Sequence, residues 1–189
     1  MASGTKTPRD TPWPETLWTI GHSTRGLDAF IALLKENGIE ALADVRHFPG
    51  SRRHPHFNAE PLQRSLSAAD IEYRAFTELG GRRRSLPDSK NTAWRNQAFR
   101  GYADYMQTDA FREGIERLKA LAAEKRTAIM CAEAVWWRCH RGLIADVFKL
   151  HGTRVLHIMD GGNLAEHPYT PAAHVADGRL DYSSPQRGF

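Results

Sequence analysis

Two cysteines in 189 residues leave no disulfide framework to build on, and in a reducing compartment a structural bridge is not expected. No apolar run approaches the roughly 20 residues of a membrane-spanning helix. The N-terminal Met1-Ala2-Ser3-Gly4-Thr5-Lys6 stretch also lacks the hydrophobic core of a signal peptide. A cytoplasmic protein with no membrane partner is therefore expected. Internal repeats are missing as well. So are the short paired Cys and His spacings that mark zinc sites. A zinc set would have to combine Cys131, Cys139, His140 and His22, and the adjacent Cys139 and His140 side chains leave a helix start in different directions. No metal and no cofactor is expected.

What the sequence does have is a moderate excess of positive charge, 26 Lys and Arg against 22 Asp and Glu, with a formal net charge of +4. The excess is concentrated: Arg46, Arg52 and Arg53, then Arg82, Arg83 and Arg84, then Arg95 and Arg100 all fall in the first half of the chain or just beyond it. A basic patch of this kind suits phosphate-bearing partners such as a nucleotide or nucleic acid, although solvated arginines have the same composition.

The chain is organised around Ile129 to Asp146, where both cysteines lie. Thr127 to Met130 is a short apolar run with β-branched residues. Leu143, Ile144, Val147, Phe148 and Leu150 recur at helical spacing, so the stretch reads strand, loop, helix. That places Cys131, Glu133, Cys139, His140 and Arg141 at the C-terminal edge of a strand, beside a helix start whose free N–H groups favour anions. Such a start lowers a thiol's pKa, which makes Cys139 a candidate thiolate and Arg141 a candidate clamp for phosphate or carboxylate. The competing reading is that either cysteine merely fills space in the core.

Residues 1–14 read as a flexible leader, 15–160 as a single α/β domain and 161–189 as an irregular tail. Leu17 to Ile20 is a buried strand ending on Gly21-His22-Ser23-Thr24, with Ser23 or Thr24 placed to cap the next helix and Asn37-Gly38 to stop it. Ile39 to Val45 is a second strand, parallel to the first across one helix, that delivers Asp44 and Arg46 to the same side. Asp44 is either catalytic or a buried partner of Arg46. The basic loop that follows carries Ser51 and Arg52, and Asn58 fits an N-cap. Ile71 to Phe76 alternates like a strand with one covered face, and Arg82 to Arg84 sit in a loop able to close over an anion. Helices at about 96–107 and after Thr108 precede the core stretch. The fold expected is a single three-layer domain, a mostly parallel sheet with helices on both faces.

Thr19-Ile20-Gly21-His22-Ser23, Asp44-Val45-Arg46 with Pro49 and Ser51-Arg52, and Met130-Cys131-Ala132-Glu133 with Cys139-His140-Arg141 together resemble the bacterial family called domain of unknown function 488. Leu79-Gly80-Gly81 and Val155 to Ile158 are similar to it too, over roughly residues 16 to 160. The resemblance implies one α/β domain and brings no chemistry with it.

Function is therefore read from the residues. A phosphatase loop needs an arginine at a fixed step after its cysteine. Counted from Cys131 that place is Trp137, and Arg138 lies one residue too far. The reading preferred is a metal-independent pocket enzyme built from three strand ends. In it Glu133 or His22 acts as acid or base, Cys131 or Cys139 as nucleophile or binding thiol, and Arg46 with Arg141 holds a phosphate-bearing substrate. Ser23, Asp44, Ser51, Arg52 and His140 complete the expected binding set, with Glu133 half-buried beside Trp136. Two other readings remain open: a non-catalytic nucleic-acid-binding module, and a thiol redox protein in which Cys131 and Cys139 join.

Overall fold

The structure, a computed structural model, describes residues 11–184. In chain order its elements are β1 (Thr16–Gly21), α1 (Leu27–Glu36), β2 (Ala41–Asp44), α2 (Ala59–Ser67) and β3 (Glu72–Ala75), then α3 (Gln97–Tyr105), α4 (Asp109–Glu124) and β4 (Thr127–Cys131). They continue with α5 (Arg141–Leu150), β5 (Arg154–Ile158), β6 (Leu164–Glu166), β7 (His174–Ala176) and β8 (Arg179–Asp181). Six strands form one sheet in the order β3-β2-β4-β1-β5-β6, parallel throughout except for β6 against β5.

Helices cover both faces. Phe30 and Leu34 of α1 and Leu62 and Leu66 of α2 pack on Trp18, Ile20, Leu42, Met130 and Ile158. On the other face Tyr102, Phe111, Leu118, Ile144 and Phe148 pack on Leu17, Ala43, Val45, Ile129 and Val155. Strands covered on both sides have no polar face, which is why β2 and β4 are buried along their whole lengths and read as apolar runs. β3 lies at the sheet edge and is only partly covered; Glu72 and Tyr73 are half-buried and Arg74 and Ala75 exposed, so the alternation read in its residues is not matched by alternating burial. This is the three-layer α/β arrangement expected from the residues.

The register sets the site. Gly21 lies opposite Cys131 and Asp44 opposite Met130, so β2, β4 and β1, side by side, end at one level. The ladder outlasts the strands: His22 N donates to Cys131 O and Ser23 N to Ala132 O, both at 3.0 Å. Because Ser23 is still held to that neighbour, neither it nor Thr24 caps α1. The N-cap is Gly26, with no side-chain bond. Asn58 does occupy the N-cap of α2, but its Oδ1 accepts from Ser51 N instead. Thr108 caps α4 and Gly38, at φ +63°, ends α1 as anticipated.

The segment expected to be an irregular tail carries β6 and the β7–β8 hairpin. Besides the β5–β6 ladder, one carboxylate anchors it to α5. Asp146 on α5, fully buried, accepts from His167 Nε2 at 2.8 Å, from Thr170 N at 2.8 Å and Oγ1 at 2.6 Å, and from Tyr182 OH at 2.8 Å. A buried carboxylate needs such donors, and here they come from residues beyond 160. Of the expected leader, residues 1–10 lie outside the described residues. Trp13 stacks on His151 with ring centroids 4.0 Å apart and meets Phe148 edge-on.

Candidate functional site

A cavity of about 320 Å³ opens at the level where β2 and β4 end. Cys131, the last residue of β4, and Cys139, just ahead of α5, lie against it. The chain between them is fixed by a short helical turn, with Cys139 N bonded to Trp136 O at 3.1 Å. The two sulfurs share a hydrogen bond at 2.6 Å, and neither is in a disulfide. His140 joins them: its Nε2 is 2.8 Å from the carbonyl oxygen of Val45 and its Nδ1 is 3.5 Å from Cys139 Sγ. Since a carbonyl only accepts, Nε2 carries the proton and Nδ1 presents a lone pair to the thiol. Burial holds the imidazole below its ordinary pKa and therefore neutral.

The two thiols are not equivalent. Burial opposes ionisation at Cys139, but the hydrogen bond with Cys131 and the guanidinium and backbone N–H of Arg141 outweigh it, leaving Cys139 below its ordinary value. Burial, and then the neighbouring Cys139, push Cys131 well above its own. The two thiols are thus shifted in opposite directions, Cys139 down and Cys131 up, which makes Cys139 the more readily ionised of the pair.

The thiol pair itself sets this asymmetry, and Arg141 lowers both members. Arg141 is 1% exposed and donates through Nη2 to Ala134 O at 2.8 Å, while Nε and Nη1 have no hydrogen-bond partner. No carboxylate among the described residues forms an ion pair with it. A buried cation without an anion is costly, and Cys139, whose pKa the Arg141 charge lowers, is the neighbouring group that would supply one on ionising. Gly21 packs against the same group: a Cβ there would fall 1.7 Å from the carbonyl oxygen of Glu133 and 2.8 Å from Arg141 Nη1. Gly81 similarly makes room for His140, whose Nδ1 lies 2.8 Å from where a Cβ would sit.

The sequence-derived residues divide. Cys131, Glu133, Cys139, His140 and Arg46 line the cavity. Glu133 is exposed, not half-buried, because Trp136 has turned inward to stack on His157 at 4.6 Å. Arg141 lies behind the thiols and is not among the lining residues.

His22 also stands back from the cavity. It stacks on Phe57 at 4.3 Å, its Nδ1 donates to Ser23 O, and its Nε2 faces Arg46 Nη1 at 3.4 Å. Burial and then the Arg46 charge lower its pKa to about 4, so it is a neutral support for that arginine. Asp44 takes the structural course. It grips Arg46 Nε and Nη2 at 2.8 and 2.6 Å and accepts from Tyr73 OH. Ser51 helps build its own loop by accepting from His54 N, and Arg52 is exposed without lining the cavity.

With Arg46 neutralised by Asp44 and Arg141 enclosed, the charges facing the cavity are Arg82 and Arg138, both exposed, opposite Glu133. Phe48, 64% exposed, and Phe99 add aromatic wall, and Arg82 lies over the Phe48 ring. Arg83 of the same run turns inward onto Tyr105, with its guanidinium 3.6 Å from the ring centre. Sequence reasoning weighed Arg138 only as one residue too far for a phosphatase loop and did not place Phe48 or Phe99 at the site. Arg138 adjoins Cys139 in the chain, and that adjacency was the signal available.

Among the described residues no group of three or more His, Cys, Asp or Glu side chains is arranged to hold a metal ion. No helix among them is long and apolar enough to cross a membrane.

The family model described as domain of unknown function DUF488 matches residues 26–148, the span that contains both cysteines, His140 and Arg141. No curated protein and no solved structure matches the chain.

Proposed function

We propose, for a chain that belongs to the family of domain of unknown function DUF488, a metal-independent enzyme that acts through Cys139 on a small phosphate-bearing substrate such as a nucleotide. One arrangement carries this reading: Cys139, held below the ordinary thiol value and 3.5 Å from an imidazole nitrogen able to take its proton, lies against a cavity faced by two exposed arginines. At about 320 Å³ the cavity is at the small end of ligand sites, the size of a mononucleotide and too small for a duplex. Arg82 and Arg138 receive the phosphate, and Phe48 or Phe99 offers a face to a base.

In this reading the Cys139 thiolate bonds to the electrophilic centre of the substrate, and the leaving group departs with a proton supplied by Glu133. Water then returns a proton to Glu133 while its hydroxyl bonds to the substrate centre, which breaks the sulfur bond and restores the thiolate. Arg141 is the counter-charge of the thiolate before the sulfur bonds and again after it is released.

The test is calorimetric binding of a panel of nucleotides and other phosphorylated metabolites, followed by product analysis. Saturable binding that weakens about tenfold or more in Arg138→Ala is expected, with turnover lost and binding kept in Cys139→Ser. Binding of polynucleotide alone, with a steep salt dependence and no product from any compound, supports a non-catalytic binding module and ends the enzyme reading.

A further inference from the structure

We propose that Cys131 and Cys139 form a reversible two-cysteine redox couple that closes to a disulfide when a hydroperoxide enters the cavity. The inference shares Cys139 with the reading above but does not need its substrate. Both sulfurs lie against the cavity, 2.6 Å apart, and a small oxidant reaches them by the route a ligand would take. The backbone between them is already folded into the turn at Trp136 to Arg138, so closing the bond requires no refolding of that loop.

The two cysteines divide the work. Cys139 is the attacking sulfur, with Arg141 behind it, and Cys131 is the protonated partner that resolves. The Cys139 thiolate attacks one oxygen of the hydroperoxide. The O–O bond breaks, the sulfur gives up two electrons, and an alcohol or water leaves after taking a proton, which makes the sulfenic acid. Cys131 then attacks that sulfur, forming the S–S bond and releasing the hydroxyl, which departs as water with the Cys131 proton. Two thiols and one hydroperoxide become one disulfide, one alcohol or water, and one further water. A small dithiol reverses the step by exchange and is itself oxidised.

The buried guanidinium sets the character of this bond. Closing the disulfide removes the negative charge beside Arg141, whose Nε and Nη1 have no other partner. The reduced form is therefore favoured, as in strongly oxidising couples, and the bond is labile. A structural disulfide raises the melting temperature of its protein. Here the oxidised chain is expected to melt below the reduced one.

The experiment treats the full chain with one equivalent of hydrogen peroxide and measures intact mass and free thiols. The expected result is a loss of about 2 Da, two thiols disappearing together, and full recovery with dithiothreitol. Cys131→Ser should instead hold an added oxygen, about 16 Da, at Cys139, captured by a sulfenic-acid reagent. Wild-type protein that gains oxygen at Cys139 without losing 2 Da, or that is oxidised at the same rate and to the same product as Cys131→Ser, overturns the proposal. Because no substrate enters these measurements, a protein that forms the couple but turns over no phosphate compound removes only the earlier reading.

Discussion

His140 donates from Nε2 to the carbonyl oxygen of Val45 at 2.8 Å, a bond from the start of α5 to the residue that follows β2. That one acceptor fixes the imidazole tautomer and turns Nδ1 toward Cys139. Nitrogen NMR should therefore find His140 as the neutral, Nε2-protonated tautomer at pH 6.5, where an ordinary histidine is half charged. A ring protonated on Nδ1, or an imidazolium at that pH, contradicts the assignment.

Asp44 and Arg46 are 1% and 7% exposed and bound at two points. Arg46→Ala leaves the carboxylate buried with Tyr73 and its backbone donor alone and should cost about 3–5 kcal/mol in urea unfolding. Asp44→Asn combined with Arg46→Met should cost less than the sum of the single changes. A loss under about 1 kcal/mol for Arg46→Ala contradicts a buried pair.

The buried imidazoles give the stability a dependence on acid. His22 is lowered to about 4 and His157 to about 2, in both cases by burial first. Unfolded histidines bind protons below about 6.5 and these two do not, so stability is complete above that pH and falls as pH decreases. His22 alone accounts for about 3 kcal/mol between pH 7 and 4. Urea midpoints at pH 7, 6 and 5 should decline in wild type and decline less in His157→Gln, whereas equal slopes contradict the account.

Asp146 ties β7 and β8 to α5 through Thr170 and Tyr182. Asp146→Ala should speed trypsin cleavage after Arg179 by about tenfold or more, because exposed, loosened segments are cut first. An unchanged cleavage rate contradicts that anchoring role.

Most of the fold was legible in the residues, since apolar runs joined by helices of crossover length leave few arrangements besides a covered parallel sheet. Three strand ends carrying Gly21, Asp44 and Cys131 were legible for the same reason. The role of His140 was not, because its partner is a backbone carbonyl that no side-chain pattern reveals. Neither was the order that sets β1 between β4 and β5, nor the ordered segment after residue 160, whose anchor Asp146 looks like any polar residue on a helix. Arg52 and Ser51 were drawn in by the basic loop and by the family motif, neither of which distinguishes a loop that frames a cavity from one that turns away.

The central claim is that Cys139 is the anionic partner of Arg141. Its most direct test is iodoacetamide alkylation across pH 5 to 10, resolved for each cysteine by peptide mass. Cys139 should react with a midpoint below the ordinary thiol value of about 8.5 and Cys131 with one above it. A midpoint for Cys139 equal to or higher than that of Cys131 contradicts the claim.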